Sequence, residues 1–212
     1  MTDHFSVAAD TPQKKRFNIA PTQYAPVAIS SQGQRALQDM RWGLVPNWAR
    51  DASIAHKLIN ARSETAHEKP SFKESFKRRR CLIPTDGFIE WQGGQSVKRP
   101  HHIFLPGREI FCFAGIWSQW DSGGETLITY SILTRPANEQ LQALHHRMPV
   151  VVRPENYDEW IDPDAQRPAL SQIIDRSEDI RFTIQEISTR VNSAKNDDPD
   201  CLRPVPVNAS LF

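Results

Sequence analysis

Three short stretches carry side chains that could move a proton or grip an anion. Glu90 sits in Gly87-Phe88-Ile89-Glu90-Trp91, an apolar aromatic run. An unpaired carboxylate there is costly to bury, so its pKa should rise unless a cation or donor meets it, and such groups serve as general acids or bases. His145 opens His145-His146-Arg147-Met148-Pro149-Val150, a titratable pair running into a strand-like apolar stretch. Asn60 and Arg62 flank Ala61, and strand alternation would put both on one face, an amide beside a guanidinium fork that suits a phosphate or sugar. Trp42, Trp48 and Trp91 offer faces on which separated bases could stack. Each has a plainer explanation. Glu90 fits the solvated side of a half-buried strand, His145 a structural histidine, Arg62 a partner for Glu64, and the tryptophans a core.

The elements expected to hold these residues are mostly strands. Short β-rich runs separated by turns, with sixteen prolines among them, predict an α+β fold dominated by antiparallel, barrel-like sheet with a few short helices. Strands are expected near 24–30, 36–44, 81–91, 101–105, 109–119, 126–134, 148–152 and 182–188, with a hairpin turn at Asp121-Ser122-Gly123-Gly124. Helices are expected over 71–79, where Phe72 and Phe76 share a face and Lys73, Lys77 and Arg78 stay in solvent, and over 137–144 and 154–160. A length of 212 residues without an internal repeat predicts one domain, with 201–212 as an extended tail.

Composition narrows the function classes. The hydrophobic share of 39% argues for a folded chain, and no apolar run reaches the roughly 18 residues of a membrane span, so no membrane partner is expected. The start lacks a secretory pattern, which predicts a cytoplasmic protein. Cys81, Cys112 and Cys201 lie far apart without a C-x-x-C spacing, which argues against a disulfide framework and a zinc site; no metal or cofactor is expected. Net charge is +1, but basic residues gather at Lys14-Lys15-Arg16 and Lys77-Arg78-Arg79-Arg80, either solvated surface or one wall of a nucleic-acid groove.

Taken in order, the motifs resemble a known family. Asn18-Ile19-Ala20-Pro21-Thr22, Arg41-Trp42-Gly43-Leu44-Val45-Pro46, Ile59-Asn60-Ala61-Arg62-Ser63-Glu64-Thr65 and Arg80-Cys81-Leu82-Ile83-Pro84-Thr85-Asp86-Gly87-Phe88-Ile89-Glu90-Trp91 are followed by Phe113-Ala114-Gly115-Ile116-Trp117, Leu144 to Val150 and Val191-Asn192. This series is similar to the SOS-response-associated peptidase (SRAP) family, which acts on abasic sites in single-stranded DNA. The resemblance implies Asn60, Glu90 and His145 in an active site, Arg62 on a DNA phosphate, and Trp42 or Trp48 beside separated bases. Arg78 and Arg80 of the basic run are expected to add phosphate contacts. The implied partner is single-stranded DNA, or a single-strand/double-strand junction, containing an abasic site; the protein is expected to act as a monomer, nucleoid-associated when bound.

The first residues depart from the pattern. Family members begin Met-Cys-Gly-Arg-Phe, and their cysteine closes a thiazolidine on the abasic aldehyde; this chain begins Met1-Thr2-Asp3-His4-Phe5. After loss of Met1, the Thr2 α-amine could still form a Schiff base, with about a tenth of it unprotonated at neutral pH. Its hydroxyl is a far weaker nucleophile than a thiolate, so any ring would be less durable. Other readings remain open: a noncatalytic module for damaged or single-stranded DNA, a hydrolase with Thr2 as N-terminal nucleophile, or a displaced start. The leading reading requires Asn60, Arg62, Glu90, His145 and the N-terminus to converge.

Overall fold

The runs rich in β-branched and aromatic residues pair into a closed wall. The computed structural model describes residues 15–31, 33–93 and 98–206. Strands β1 (Tyr24–Ser31) and β2 (Gln34–Trp42) form an antiparallel hairpin in register from Tyr24↔Arg41 to Ser31↔Gln34. Strand β4 (Arg80–Thr85) lies between β1 and β7 (Phe111–Ser122), and β7 turns back into β8 (Glu125–Pro136). Gly123 and Gly124 take φ of 60° and 87° between Ser122 and Glu125, the two-residue turn that positive φ permits. β8 then pairs with β2 in parallel, at Arg41↔Thr129, so that β7, β4, β1, β2 and β8 close a five-stranded ring. The expected barrel-like, mainly antiparallel α+β architecture is present.

Closing the ring gives alternate residues different surroundings. On β7, Cys112, Ala114 and Ile116 face a core completed by helices, while Phe111 and Phe113 join Val27, Met40, Cys81, Ile83 and Tyr130 in a second core within the ring. The helices are α1 (Lys73–Arg78), α2 (Tyr157–Ile161) and α3 (Arg167–Arg176), contributing Phe76, Trp160, Leu170 and Ile173 to the first core. The short strands β3 (Asn60–Arg62), β9 (Arg147–Pro149) and β10 (Val151–Val152) extend the wall. A separate sheet runs β11 (Thr183–Glu186), β6 (Arg99–Phe104), β5 (Phe88–Gln92).

Several differences from expectation have physical reasons. The strand expected over 81–91 breaks at Asp86-Gly87, and its halves enter different sheets. A Cβ on Gly87 would lie 2.2 Å from His102 Nε2 and 2.9 Å from the Ile103 carbonyl oxygen, so only glycine lets the chain turn there. The helix expected over 137–144 is a string of turns, because Ala137 N–H donates to the His146 carbonyl and pinches the segment into a loop returning to β8. The longest helix, α3, has no counterpart among the expected elements: Pro168 and its polar neighbours obscure the Leu170–Ile173 spacing. Part of the segment expected as a tail is docked, since Cys201 is buried and Val205 N–H donates to the Glu186 carbonyl; 207–212 lie outside the described residues.

Arg80 is a correction. Expected on DNA, it is 2% exposed, and its guanidinium donates to the carbonyls of Trp160 (2.8 Å), Phe76 (2.7 Å), Lys77 (2.7 Å) and Asp162. These are carbonyls at the C-terminal ends of α1 and α2, groups that a helix cannot satisfy itself. Burial pulls the Arg80 pKa down, opposed by Asp162. Arg80→Met would strand four carbonyls, and a loss of about 3–5 kcal/mol is expected. Thermal unfolding should show it as a drop of roughly 10 °C.

Candidate active site

Strand β8 is the spine of the site. Its last residues run between β3, in parallel register Asn60↔Ile132 and Arg62↔Thr134, and β9, in antiparallel register Thr134↔Pro149 and Pro136↔Arg147. Segments far apart in sequence are thereby held on either side of one strand. The second sheet supplies the facing wall through β5, where Glu90 pairs with His101. Between them opens a cleft of about 620 Å³, lined by Asn60, Arg62, Glu90, His145 and Arg147 over an apolar floor that includes Ile83, Phe113 and Ile132. That volume falls in the range of small-ligand sites.

Glu90 and His145 face each other, with Oε1 3.9 Å from Nδ1. This is beyond hydrogen-bond length but within ion-pair range, and catalytic contacts commonly tighten only when substrate binds. Burial holds the Glu90 carboxyl above the usual carboxylate range, opposed by His145 and by a hydrogen bond from the Trp91 backbone. His145 Nδ1 also meets the Arg147 carbonyl oxygen at 3.0 Å and the Arg147 N–H at 3.2 Å. The two contacts suit opposite tautomers, the first with Nδ1 donating and the second with Nδ1 accepting. Glu90 is therefore not on a solvated strand face, and His145 is not sealed into a core.

Alternation on β3 works as expected: Ala61 is fully buried while Asn60 and Arg62 are exposed and line the cleft. Glu64 does not pair with Arg62. Both of its carboxylate oxygens are taken by Arg147, with Nη2 at 2.8 Å from Oε2, and that contact holds its pKa below the usual range against partial burial. Among the described residues, Arg62 keeps no carboxylate partner. Trp42 lines the cleft, stacked on Tyr130 at 6.4 Å and 8° and donating from Nε1 to the Ile59 carbonyl. Trp48 is 56% exposed and lies outside the cleft lining. Arg78 is exposed on α1, in a separate depression with Lys73, Lys77 and Arg167. Thr2 lies outside the described residues.

Two features of the site have no counterpart in the sequence reading. Asp197 Oδ1 accepts from the backbone N–H groups of Phe17 and Asn18, and Asn18 Nδ2 donates to the carbonyls of Val191, Ser193 and Asn196. This latch sets residues 16–21 against 191–194 along one cleft wall. Asn192 Oδ1 in turn accepts from Trp91 Nε1 at 2.7 Å, fixing the indole next to Glu90. The sequence signal for it lies in Asn18 and Val191-Asn192, which belong to the motif series without an evident role of their own. The other feature is the Arg147–Glu64 clamp.

The chain is similar to several known proteins along most of its length. A protein named abasic site processing protein YoqW from Bacillus subtilis is 38% identical over 189 residues, covering 88% of this chain and 84% of its own. Abasic site processing protein HMCES from Gallus gallus is 34% identical over 223 residues, covering 89% and 66%. The crystal structure of a Bacteroides thetaiotaomicron protein superposes with a TM-score of 0.77 at 28% identity, covering 87% of this chain and 82% of that one. The profile of the SOS response associated peptidase (SRAP) family matches residues 1–194, and with the barrel, the cleft and these relatives in agreement, the chain belongs to the SRAP family.

Proposed function

We propose that the protein recognises abasic sites in single-stranded DNA and forms an imine, or a related DNA–protein crosslink, through its N-terminus. The observation that carries this reading is the Glu90–His145 pair in a cleft that also presents Arg62, which among the described residues has no carboxylate partner. The names of its relatives point to the same substrate.

In the closed sugar, His145 takes the proton of the C1′ hydroxyl while Glu90 protonates O4′ as the C1′–O4′ bond breaks, leaving an aldehyde. The terminal α-amine attacks that carbon, the resulting hydroxyl accepts a proton and leaves as water, and a C=N bond remains. Burial suits Glu90 to the acid role, because the desolvated carboxyl keeps its proton to higher pH than a surface glutamate. Arg62 holds a phosphate and Asn60 a sugar or phosphate oxygen, while Trp42 lies beside the bases. Self-removal of Met1, an amide cleavage at the protein's own terminus, exposes the amine. The protein acts as a monomeric single domain in the cytoplasm, nucleoid-associated when bound to DNA.

The test uses an abasic single-stranded oligonucleotide with borohydride as trap. An adduct is expected, with binding tighter to single strands than to duplex and weaker as salt rises. Arg62→Ala should weaken binding alike across sequences, by about tenfold for a charge-assisted contact. Tight binding without any trappable adduct would favour the noncatalytic DNA-binding module, which the missing N-terminal sulfur makes the second reading. Indifference to salt and strandedness would remove DNA from the account.

A further inference from the structure

Arg147 divides its work between side chain and backbone. Its guanidinium makes a two-pronged pair with Glu64 and donates from Nη2 to the carbonyl and hydroxyl oxygens of Thr134. Its backbone provides both contacts to His145 Nδ1. Arg147 is also the first residue of β9, a strand of three residues that follows the looped segment 137–146 and pairs with β8 only from Pro136↔Arg147 to Thr134↔Pro149. A strand end this short frays unless something holds it.

The side-chain clamp supplies that hold, and it is well buried at one end: the Arg147 side chain is 15% exposed, that of Glu64 44%. Glu64 is itself fixed, because it follows Ser63, whose N–H donates to the same Thr134 carbonyl at 2.8 Å. One carboxylate thus ties the turn after β3, which carries Asn60 and Arg62, to the strand that orients His145. Occupied in this way, Arg147 serves the structure, and among the described residues Arg62 is a cleft arginine without a carboxylate partner.

We propose that Glu64 is a positioning residue for His145, acting through Arg147: it locks the first residue of β9, and the locked backbone fixes the direction of the imidazole toward Glu90. The proposal rests on the reading of His145 as a proton-transfer group. A two-pronged pair that only stabilised the barrel would leave the ring nitrogens of His145 unchanged when cut; a positioning pair would not.

The experiment compares Glu64→Gln, Glu64→Ala and Glu64→Asp with the native chain by nitrogen NMR of the histidine rings, His145 being identified by the loss of its signals in His145→Gln. Adduct formation on abasic single-stranded DNA is measured alongside, separating the rate at saturating DNA from the dissociation constant. Glu178→Gln, which cuts the Arg135–Glu178 pair away from the cleft, is the control for stability alone. The native protein is expected to show a single set of His145 ring signals, and Glu64→Gln and Glu64→Ala shifted and broadened ones, partly restored in Glu64→Asp. The saturated rate should fall about tenfold or more, as small misplacements of a reacting group do, with DNA affinity changed by less than about threefold because Arg62 is untouched. Unchanged His145 signals in Glu64→Gln and Glu64→Ala would overturn the proposal, as would the same loss in Glu178→Gln or a loss confined to affinity. If the native protein forms no adduct, the covalent reading fails, yet the ring signals still decide the role of Glu64.

Discussion

Thr2→Cys, with Met1 removed, is expected to turn a reversible adduct into a heat-resistant crosslink. With Met1 removed, Thr2 would offer an α-amine and a hydroxyl. The amine can form an imine that borohydride reduces, but ring closure by the hydroxyl is weak, so without reduction the adduct should be lost on heating. A thiol at the same β-carbon closes a five-membered thiazolidine by adding across the C=N bond, sulfur to carbon and a proton to nitrogen. Gel analysis after heating, with and without borohydride, separates the two states. The gain should be large, from little surviving native adduct to a crosslink that outlasts denaturation, since thiolates are much stronger nucleophiles than neutral hydroxyls. A heat-stable adduct from the native Thr2 protein would show that the missing sulfur is not the limiting feature. Failure of Thr2→Cys to crosslink, with Glu90 and His145 intact, would place the obstruction at Asp3 or His4, where the sequence also departs from the family.

Glu90→Gln should lower the rate of adduct formation by about 10² to 10⁴, the usual worth of a proton-transfer group, while raising stability. The sign follows from linkage. Burial raises the Glu90 pKa in the folded state, so the neutral form is the one the fold prefers. Its stabilising contribution is complete below the unfolded pKa and is lost as pH rises through the folded value; above that the carboxylate is ionised in a partly desolvated site. Glutamine cannot ionise. The variant should therefore melt above the native protein at neutral pH and converge with it in acid. The native rate should likewise decline as pH rises through the raised pKa if the protonated carboxyl is the acid, and Glu90→Gln should lack that limb. Equal melting at neutral pH, together with an unchanged rate, would remove Glu90 from the chemistry.

The opposition between rate and stability at Glu90 also explains why this residue stands out in the bare amino-acid order. A charged side chain between Ile89 and Trp91 conflicts with its neighbours, and such conflicts gather at functional sites. Alternation around Ala61 makes the shared direction of Asn60 and Arg62 legible too, because strand geometry alone dictates it. The glycine-turned β7–β8 hairpin is legible for the same local reason.

What the sequence could not settle was the set of pairings between distant segments. Glu64 lies two residues from Arg62 and 83 from Arg147, yet its carboxylate pairs with Arg147 because β8 carries β3 and β9 on either side of itself. Arg80 sits in a basic run that suits DNA, yet it lies on the Leu82 face of β4, against the core that the helices complete, and meets the carbonyl ends of two of them. The segment from Cys81 to Trp91 reads as one strand, and the approach of His102 to Gly87 divides it between two sheets. By itself the amino-acid order determined the residue types, the strand faces around Ala61, the β7–β8 turn and the family. The pairing of β8 with β3 and β9, contacts with no local signature, brought Arg62, Glu64 and Arg147 together, and the packing of helices against β4 committed Arg80 to the fold.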